Sequence, residues 1–274
     1  MSENKIGNIG IDDLHLSNIA SFLISHLSSG KASMPDDCED VLSSKPYLRD
    51  KPDAYDENHR EIAEESYLYA QMASNAYSDK PQFVFPEKLV SRQERFDKGY
   101  GFQGIIFEVC KNDTLSEVVI AYRGTEGADL SDWVFGNIFD KQYNLADELY
   151  NNVRQQYPTT KIVATGHSLG GGLALHTSAT VNGVNAYAFN PSYRIHRQGK
   201  EKKNRRIIAT ESGDILELHR LLWRNPEYTK YARFNCTERN NHSMYILARC
   251  LTHVAAIRND DAVTSLTLNR YRGC

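Results

Sequence analysis

Apolar positions along this chain recur with two periods, and stretches of each kind alternate. Spacings of three and four mark helices, because they place side chains on one face of a 3.6-residue turn. Short β-branched or aromatic runs between polar turns mark strands. From residue 10 to 28, Leu16, Ile19, Phe22, Leu23 and Leu27 share a helical face, with Asp12 or Asp13 at its start. Residues 29–58 are rich in Ser, Pro, Asp and Lys and read as a long loop or linker. Ile62, Tyr69, Met72, Ala73 and Ala76 then mark a second helix, with the small Ser66 filling the gap in the row. Strand signals follow at Phe83–Phe85, Gly104–Cys110, Val118–Tyr122, Ile162–Thr165, Val184–Phe189 and Ile207–Ala209. Helical patterns cover 144–156, 170–181 and 243–255. Strands interleaved with helices predict an α/β fold: a mostly parallel central sheet with helices on both faces, its early strands pairing antiparallel. The expected organisation is an N-terminal helix and polar loop over 1–58, packed on or linked to a main domain over 59–274. The chain carries no internal repeat.

Composition narrows the function classes. The chain has 274 residues, enough for one sizeable core, with 41% hydrophobic and 24% charged residues, ordinary for a globular protein. A formal net charge of -3 gives no reason to expect a nucleic-acid partner. No run approaches the ~20 apolar residues of a membrane-spanning helix. The start, MSENKIGNIGIDD, lacks a basic segment followed by an apolar one. The expectation is therefore a cytoplasmic protein, or one exported without a cleavable signal peptide. Cys38, Cys110, Cys236, Cys250 and Cys274 are scattered and odd in number, which suits reduced thiols better than a disulfide framework. A Cys236–Cys250 bond has nothing in the sequence to support it. Without CxxC, HExxH or an EF-hand loop, no metal and no cofactor are expected.

The chemistry is concentrated at Gly166-His167-Ser168-Leu169-Gly170, followed by Gly171 and Gly172. A short apolar strand, Lys161 to Thr165, precedes it, and a helical run from Leu173 to Thr180 follows. In that context G-x-S-x-G is a sharp strand-to-helix turn that lifts a serine hydroxyl above the sheet. Glycines are needed where side chains would strike the neighbouring strand and helix. The helix N-terminus, with free N–H groups and a partial positive charge, faces the oxygen that turns negative in acyl transfer. Leu169, the residue after the serine, supplies one such N–H. The bland alternative is a glycine-rich turn that merely packs a helix on a sheet.

A second motif lies about forty residues upstream: Glu117-Val118-Val119-Ile120-Ala121-Tyr122-Arg123-Gly124-Thr125, a strand ending in Arg-Gly-Thr. Apolar strand, Arg-Gly-Thr, then GHSLGG resembles the class 3 lipases of the α/β-hydrolase fold, and more narrowly their smaller bacterial members. The resemblance spans roughly residues 60–255. It implies that Thr125 is an oxyanion-hole donor beside Leu169, and that Arg123 braces that turn. In the fold's order of serine, acid, histidine, the first aspartate after Ser168 is Asp214, in a strand-and-turn segment that looks like the family's acid loop, with Glu211 as its competitor. Among the later histidines, His219 is too near Asp214 in sequence. His242, in Asn240-Asn241-His242-Ser243-Met244, resembles the family's His-Ser-Met segment, and His253 is the alternative. Ser168, Asp214 and His242 would then be nucleophile, orienting acid and general base.

The implied activity is hydrolysis of carboxylic esters of lipids through an acyl-enzyme, with lipid or phospholipid as substrate. Short gaps from Ser168 to Asp214 and His242 imply a pared-down cleft. The family's Val-His-x-Gly-Phe-like segment is replaced here by Asp140-Lys141-Gln142-Tyr143. With both departures, phospholipids, lysophospholipids or smaller acyl esters fit at least as well as bulky triacylglycerols. Such a protein could be an antibacterial effector, with an immunity or secretion partner. A non-catalytic lipase-like interaction protein and a thioesterase are the other readings. In the larger family lipases a lid follows the oxyanion turn, so Trp133 and Phe135 are candidate substrate-facing residues; an ordinary packing segment is the competing reading. The run from Arg194 to Arg206 is basic and reads as a solvated loop or as a patch for anionic lipid headgroups. Gly99-Tyr100-Gly101-Phe102-Gln103-Gly104 matches the dinucleotide fingerprint, but a strand follows it instead of a helix, so it reads as a turn.

Overall fold

The computed structural model describes residues 55–124, 138–192, 203–217, 228–236 and 242–269. The N-terminal helix expected over 10–28, the linker to residue 54, Thr125, Trp133, Phe135, His219 and most of the basic run lie outside the described residues.

Among the described residues, seven strands form one sheet whose spatial order follows the chain: β1 (Val90–Asp97), β2 (Gln103–Lys111), β3 (Thr114–Tyr122), β4 (Lys161–His167), β5 (Asn185–Phe189), β6 (Arg206–Glu211) and β7 (Lys230–Phe234). The first two pairings are antiparallel, as expected of early strands joined by short turns, and the rest are parallel. The described helices are α1 (Glu57–Asn75), α2 (Ile138–Gln156), α3 (Leu169–Thr180), α4 (Met244–Ala255) and α5 (Asp260–Leu268). This is the mixed sheet with helices on both faces of an α/β-hydrolase-like fold.

The period-two alternation of the strands builds two cores. On one face Val119, Ala121, Val163, Tyr187, Phe189, Ile207 and Ala209 pack with α1, α4 and α5. On the other, Val118, Ile120, Tyr122, Ile162, Ala164, Ala186 and Ile208 pack with α2 and α3. Central strands buried on both faces read as continuous apolar runs, which is why β3, β4 and β5 are visible in the sequence. The edges are not. β1 (VSRQERFD) is mostly exposed and charged, and β7 turns only Ala232 and Phe234 fully inward. Edge strands carry such polarity as protection against pairing with other chains. The strand predicted at Phe83–Phe85 is instead a buried connection. Asn75 and Asn269 side chains accept its Phe83 and Val84 amides, doing what a neighbouring strand would otherwise do. The glycine-rich decoy is the β1–β2 turn, with Gly99, Tyr100 and Gly101 all at positive φ.

The expectation of reduced thiols is corrected at one place. Cys236, just past β7, and Cys250, in α4, form a disulfide with Cα atoms 5.7 Å apart. The folded path brings together cysteines that the sequence leaves fourteen positions apart. Cys110 is a free thiol. At the described end of the basic run, Arg205 and Arg206 are engaged by the fold and are not free for a surface patch. Arg206 is buried and donates to the Ser178 hydroxyl and carbonyl at 3.1 and 3.0 Å. Arg205 pairs in a forked arrangement with Glu65 of α1.

Candidate active site

The glycine-flanked serine sits where β4 ends and α3 begins. Ser168 has φ 55° and ψ -123°, a conformation that costs a non-glycine residue about 1–3 kcal/mol and is kept only where its surroundings hold it. Those surroundings are present. The Ser168 amide donates to Phe189 O at 3.0 Å, and its carbonyl accepts from Gly172 at 3.1 Å and Ser192 at 2.9 Å. A methyl at Gly170 would lie 2.2 Å from the Tyr122 carbonyl oxygen, and one at Gly166 2.4 Å from the Gly170 backbone. The turn is this tight because helix, strand and elbow are in backbone contact. Leu169 is the first residue of α3, so its N–H is one of those without an intrahelical acceptor. The buried face of α3 runs all round, from Leu169 to Ser178.

Asp214 follows β6 after a turn at Gly213, which has φ +72°. Its Oδ2 accepts the Leu216 amide at 3.2 Å, and Oδ1 is hydrogen-bonded to Nδ1 of His242. The Asp214 side chain is fully buried and that of His242 is 15% exposed. His242 lies directly before Ser243, the N-cap of α4, whose hydroxyl accepts the Ile246 amide. The structure therefore brings Asp214 and His242 together. Glu211, the competing acid, is buried and its Oε1 accepts from the Cys236 amide at 2.6 Å, while His253 lies in the last turn of α4.

The two halves meet through His167. Its ring centroid is 4.6 Å from that of His242, and it directly precedes Ser168 in the chain. Ser168 Oγ and His242 Nε2 are both buried and have no hydrogen-bond partner among the described residues. A nucleophile and base often tighten their contact only when substrate binds. Gly124, the residue before Thr125, adjoins the same point: a methyl there would lie 3.1 Å from Ser168 Cβ. Arg123 holds that turn to β2, its amide on Gln103 O at 2.8 Å and its guanidinium on Gln103 Oε1 at 2.6 Å.

Tyr77 escapes sequence reasoning. Its hydroxyl lies 2.7 Å from His167 Nδ1, yet in the sequence it is one tyrosine among sixteen, just past a helical stripe. Asn190 escapes as well. Fully buried at φ 41°, it accepts the Glu211 amide on Oδ1 at 2.7 Å and so ties the end of β5 to that of β6. Among the described residues no group of three His, Cys, Asp or Glu side chains is placed to hold a metal ion.

Residues 53–214, more than half of the chain, match the family described as phospholipase-like, with a Tle-like phospholipase domain. Among solved structures the chain is similar to a triacylglycerol lipase from Penicillium expansum, at 16% identity and TM-score 0.47, over 65% of this chain and 82% of that one. It is similar to lipase II from Rhizopus niveus at 18% identity and TM-score 0.43, over 57% and 73%. The match to a lipase from Rhizopus microsporus var. chinensis has 17% identity and TM-score 0.39, and covers 56% of this chain and 66% of that one. Among curated proteins none matches.

Proposed function

Since the chain belongs to the phospholipase-like family with a Tle-like phospholipase domain, we propose that it is a serine esterase acting on carboxylic esters of lipids, phospholipase A-type or lipase-like. The reading rests above all on one observation. The bonded Asp214–His242 pair packs against the ring of His167, the residue that precedes a strained elbow serine. In this mechanism His242 Nε2 takes the proton of Ser168 as Oγ attacks the ester carbonyl. Asp214 holds the imidazole by Nδ1 and stabilises its transient charge. The Leu169 N–H, with Thr125, receives the oxyanion; one such donor is worth about 3–4 kcal/mol at the transition state. Collapse of the tetrahedral intermediate breaks the ester bond, and His242 protonates the departing alcohol. Water then attacks the acyl-serine, with His242 as base, and frees the fatty acid.

The test is fatty-acid release from phospholipid vesicles by the protein and by Ser168→Ala. Release that disappears in the variant supports the assignment, and equal release by both, or none by either, removes it.

The Cys236–Cys250 bond bears on the site of action. Disulfides persist outside reducing compartments, which favours the exported reading over the cytoplasmic one. An exported lipid hydrolase can serve as an effector against a competitor's envelope, and its producer then needs an immunity or secretion partner. Alkylation and mass spectrometry of protein recovered from each compartment distinguishes the two readings. Free thiols at both positions at the site of action would overturn the exported one.

A further inference from the structure

We propose that Tyr77 is a positioning residue for acyl transfer, acting through His167 on His242 and through Gly124 on the oxyanion turn; this rests on the serine-esterase reading above. Tyr77 directly follows Ala76, the C-cap of α1, on the helix face of the sheet that also carries α4. Its hydroxyl lies 2.7 Å from His167 Nδ1 and donates to the His167 carbonyl at 3.3 Å. One phenol oxygen thus holds both the ring and the backbone of the residue that precedes the nucleophile. With its proton directed to the carbonyl, the phenol oxygen accepts from Nδ1–H, which sets the His167 tautomer.

That matters because of what His167 touches. It is 3% exposed, and its ring lies 4.6 Å from that of His242 at an interplanar angle of 47°. Asp214 fixes His242 at Nδ1 only, and one hydrogen bond leaves the imidazole free to swing about it. The face of His167 restricts that swing. A ring held on one nitrogen and against one face keeps Nε2 aimed in a single direction, the condition for proton transfer to and from Ser168.

The same hydroxyl also touches the other half of the site. A methyl on Gly124 would lie 2.2 Å from the Tyr77 hydroxyl and 2.4 Å from the His167 carbonyl oxygen. The chain leading to Thr125 therefore runs in contact with the phenol. The Arg123 guanidinium, 6.0 Å from the Tyr77 ring centroid, shares a residue with this turn and is itself held by Gln103. A tyrosine that merely filled space would need its ring here and not its hydroxyl.

Tyr77→Phe separates the two roles, because it keeps the ring. For hydrolysis of a soluble short-chain ester, kcat is expected to fall about tenfold, as for loss of one hydrogen bond. KM should stay within about twofold, since no substrate contact is removed. The melting temperature should shift by no more than a few degrees. His167→Asn should lower kcat as well, and the double variant should be little worse than the poorer single one, because both cut the same chain. A Tyr77→Phe enzyme with unchanged kcat overturns the proposal, as does a loss seen mainly in KM. Independent, multiplying losses in the double variant overturn the route through His167. Ser168→Ala, assayed alongside, keeps the premise separate: its inactivity beside an unimpaired Tyr77→Phe rejects the positioning role alone, whereas its full activity rejects the esterase reading and this inference with it.

Discussion

The elbow and the acid–histidine arm meet at one end of the sheet, but they are held there by different means. The elbow is local. Strand, serine and helix are consecutive in the chain, and Gly166 and Gly170 let backbone touch backbone. Every residue from Ile162 to Ser178 is buried. The arm is assembled from distant segments. Asp214 comes from the end of β6, His242 from the start of α4, and Cys236–Cys250 ties β7 to that helix on either side of His242 in the sequence. The elbow's geometry is set by close packing, which tolerates almost no change. The arm depends on a few specific bonds, each of which can be cut separately.

Substitutions sharpen that contrast. Asp214→Asn should leave the fold intact and lower kcat about 10⁴-fold, by presenting the wrong partner to Nδ1 of His242; steady-state kinetics beside a circular dichroism spectrum checks it, and a loss under tenfold would remove Asp214 from its assigned role. Gly170→Ala should cost stability itself, about 3 kcal/mol or more, because the new methyl meets the Tyr122 carbonyl oxygen at 2.2 Å and neither backbone can give way. Denaturant unfolding measures this, and an unchanged midpoint would show that the elbow is looser than described. Replacing Cys236 and Cys250 by serine should lower stability by about 3 kcal/mol, the value for a closed loop of about fifteen residues. Activity should then fall on dilution into mild urea sooner than in the parent, and dithiothreitol should reproduce the effect in the parent but not in the variant. Glu65→Gln, which removes a partner of Arg205 and one of the two carboxylates on Lys230, should cost no more than about 1 kcal/mol and leave kcat unchanged.

Legibility in the sequence follows the same division. The central strands and the helices α1, α2 and α4 are visible because burial on both faces of the sheet, or along one face of a helix, forces a recognisable apolar pattern, and α3 because burial all round leaves an apolar run after the glycines. Ser168 and Leu169 are visible because strand, turn and helix are adjacent in the chain, so a few consecutive residues specify the elbow. β1 and β7 are hidden because an edge strand needs little apolar surface. α5 is hidden too; Asn259 caps it by accepting the Asp261 and Ala262 amides, but its exposed face carries Val263 and Leu268 and blurs the period.

Chain order narrows the acid and base to a few candidates but cannot choose among them. Asp214 and Glu211 are three residues apart at the end of one strand, and only the path of the chain decides which carboxylate reaches the imidazole of His242 and which turns to the Cys236 amide. The disulfide and the Tyr77–His167 contact are the extreme cases. Nothing local marks either, because each joins residues that only the folded path brings together. Periodicity and tight turns are short-range consequences of backbone geometry and can be read in one dimension. Partners across the core follow from how whole elements pack, and that packing is settled only when the sheet has both of its faces covered.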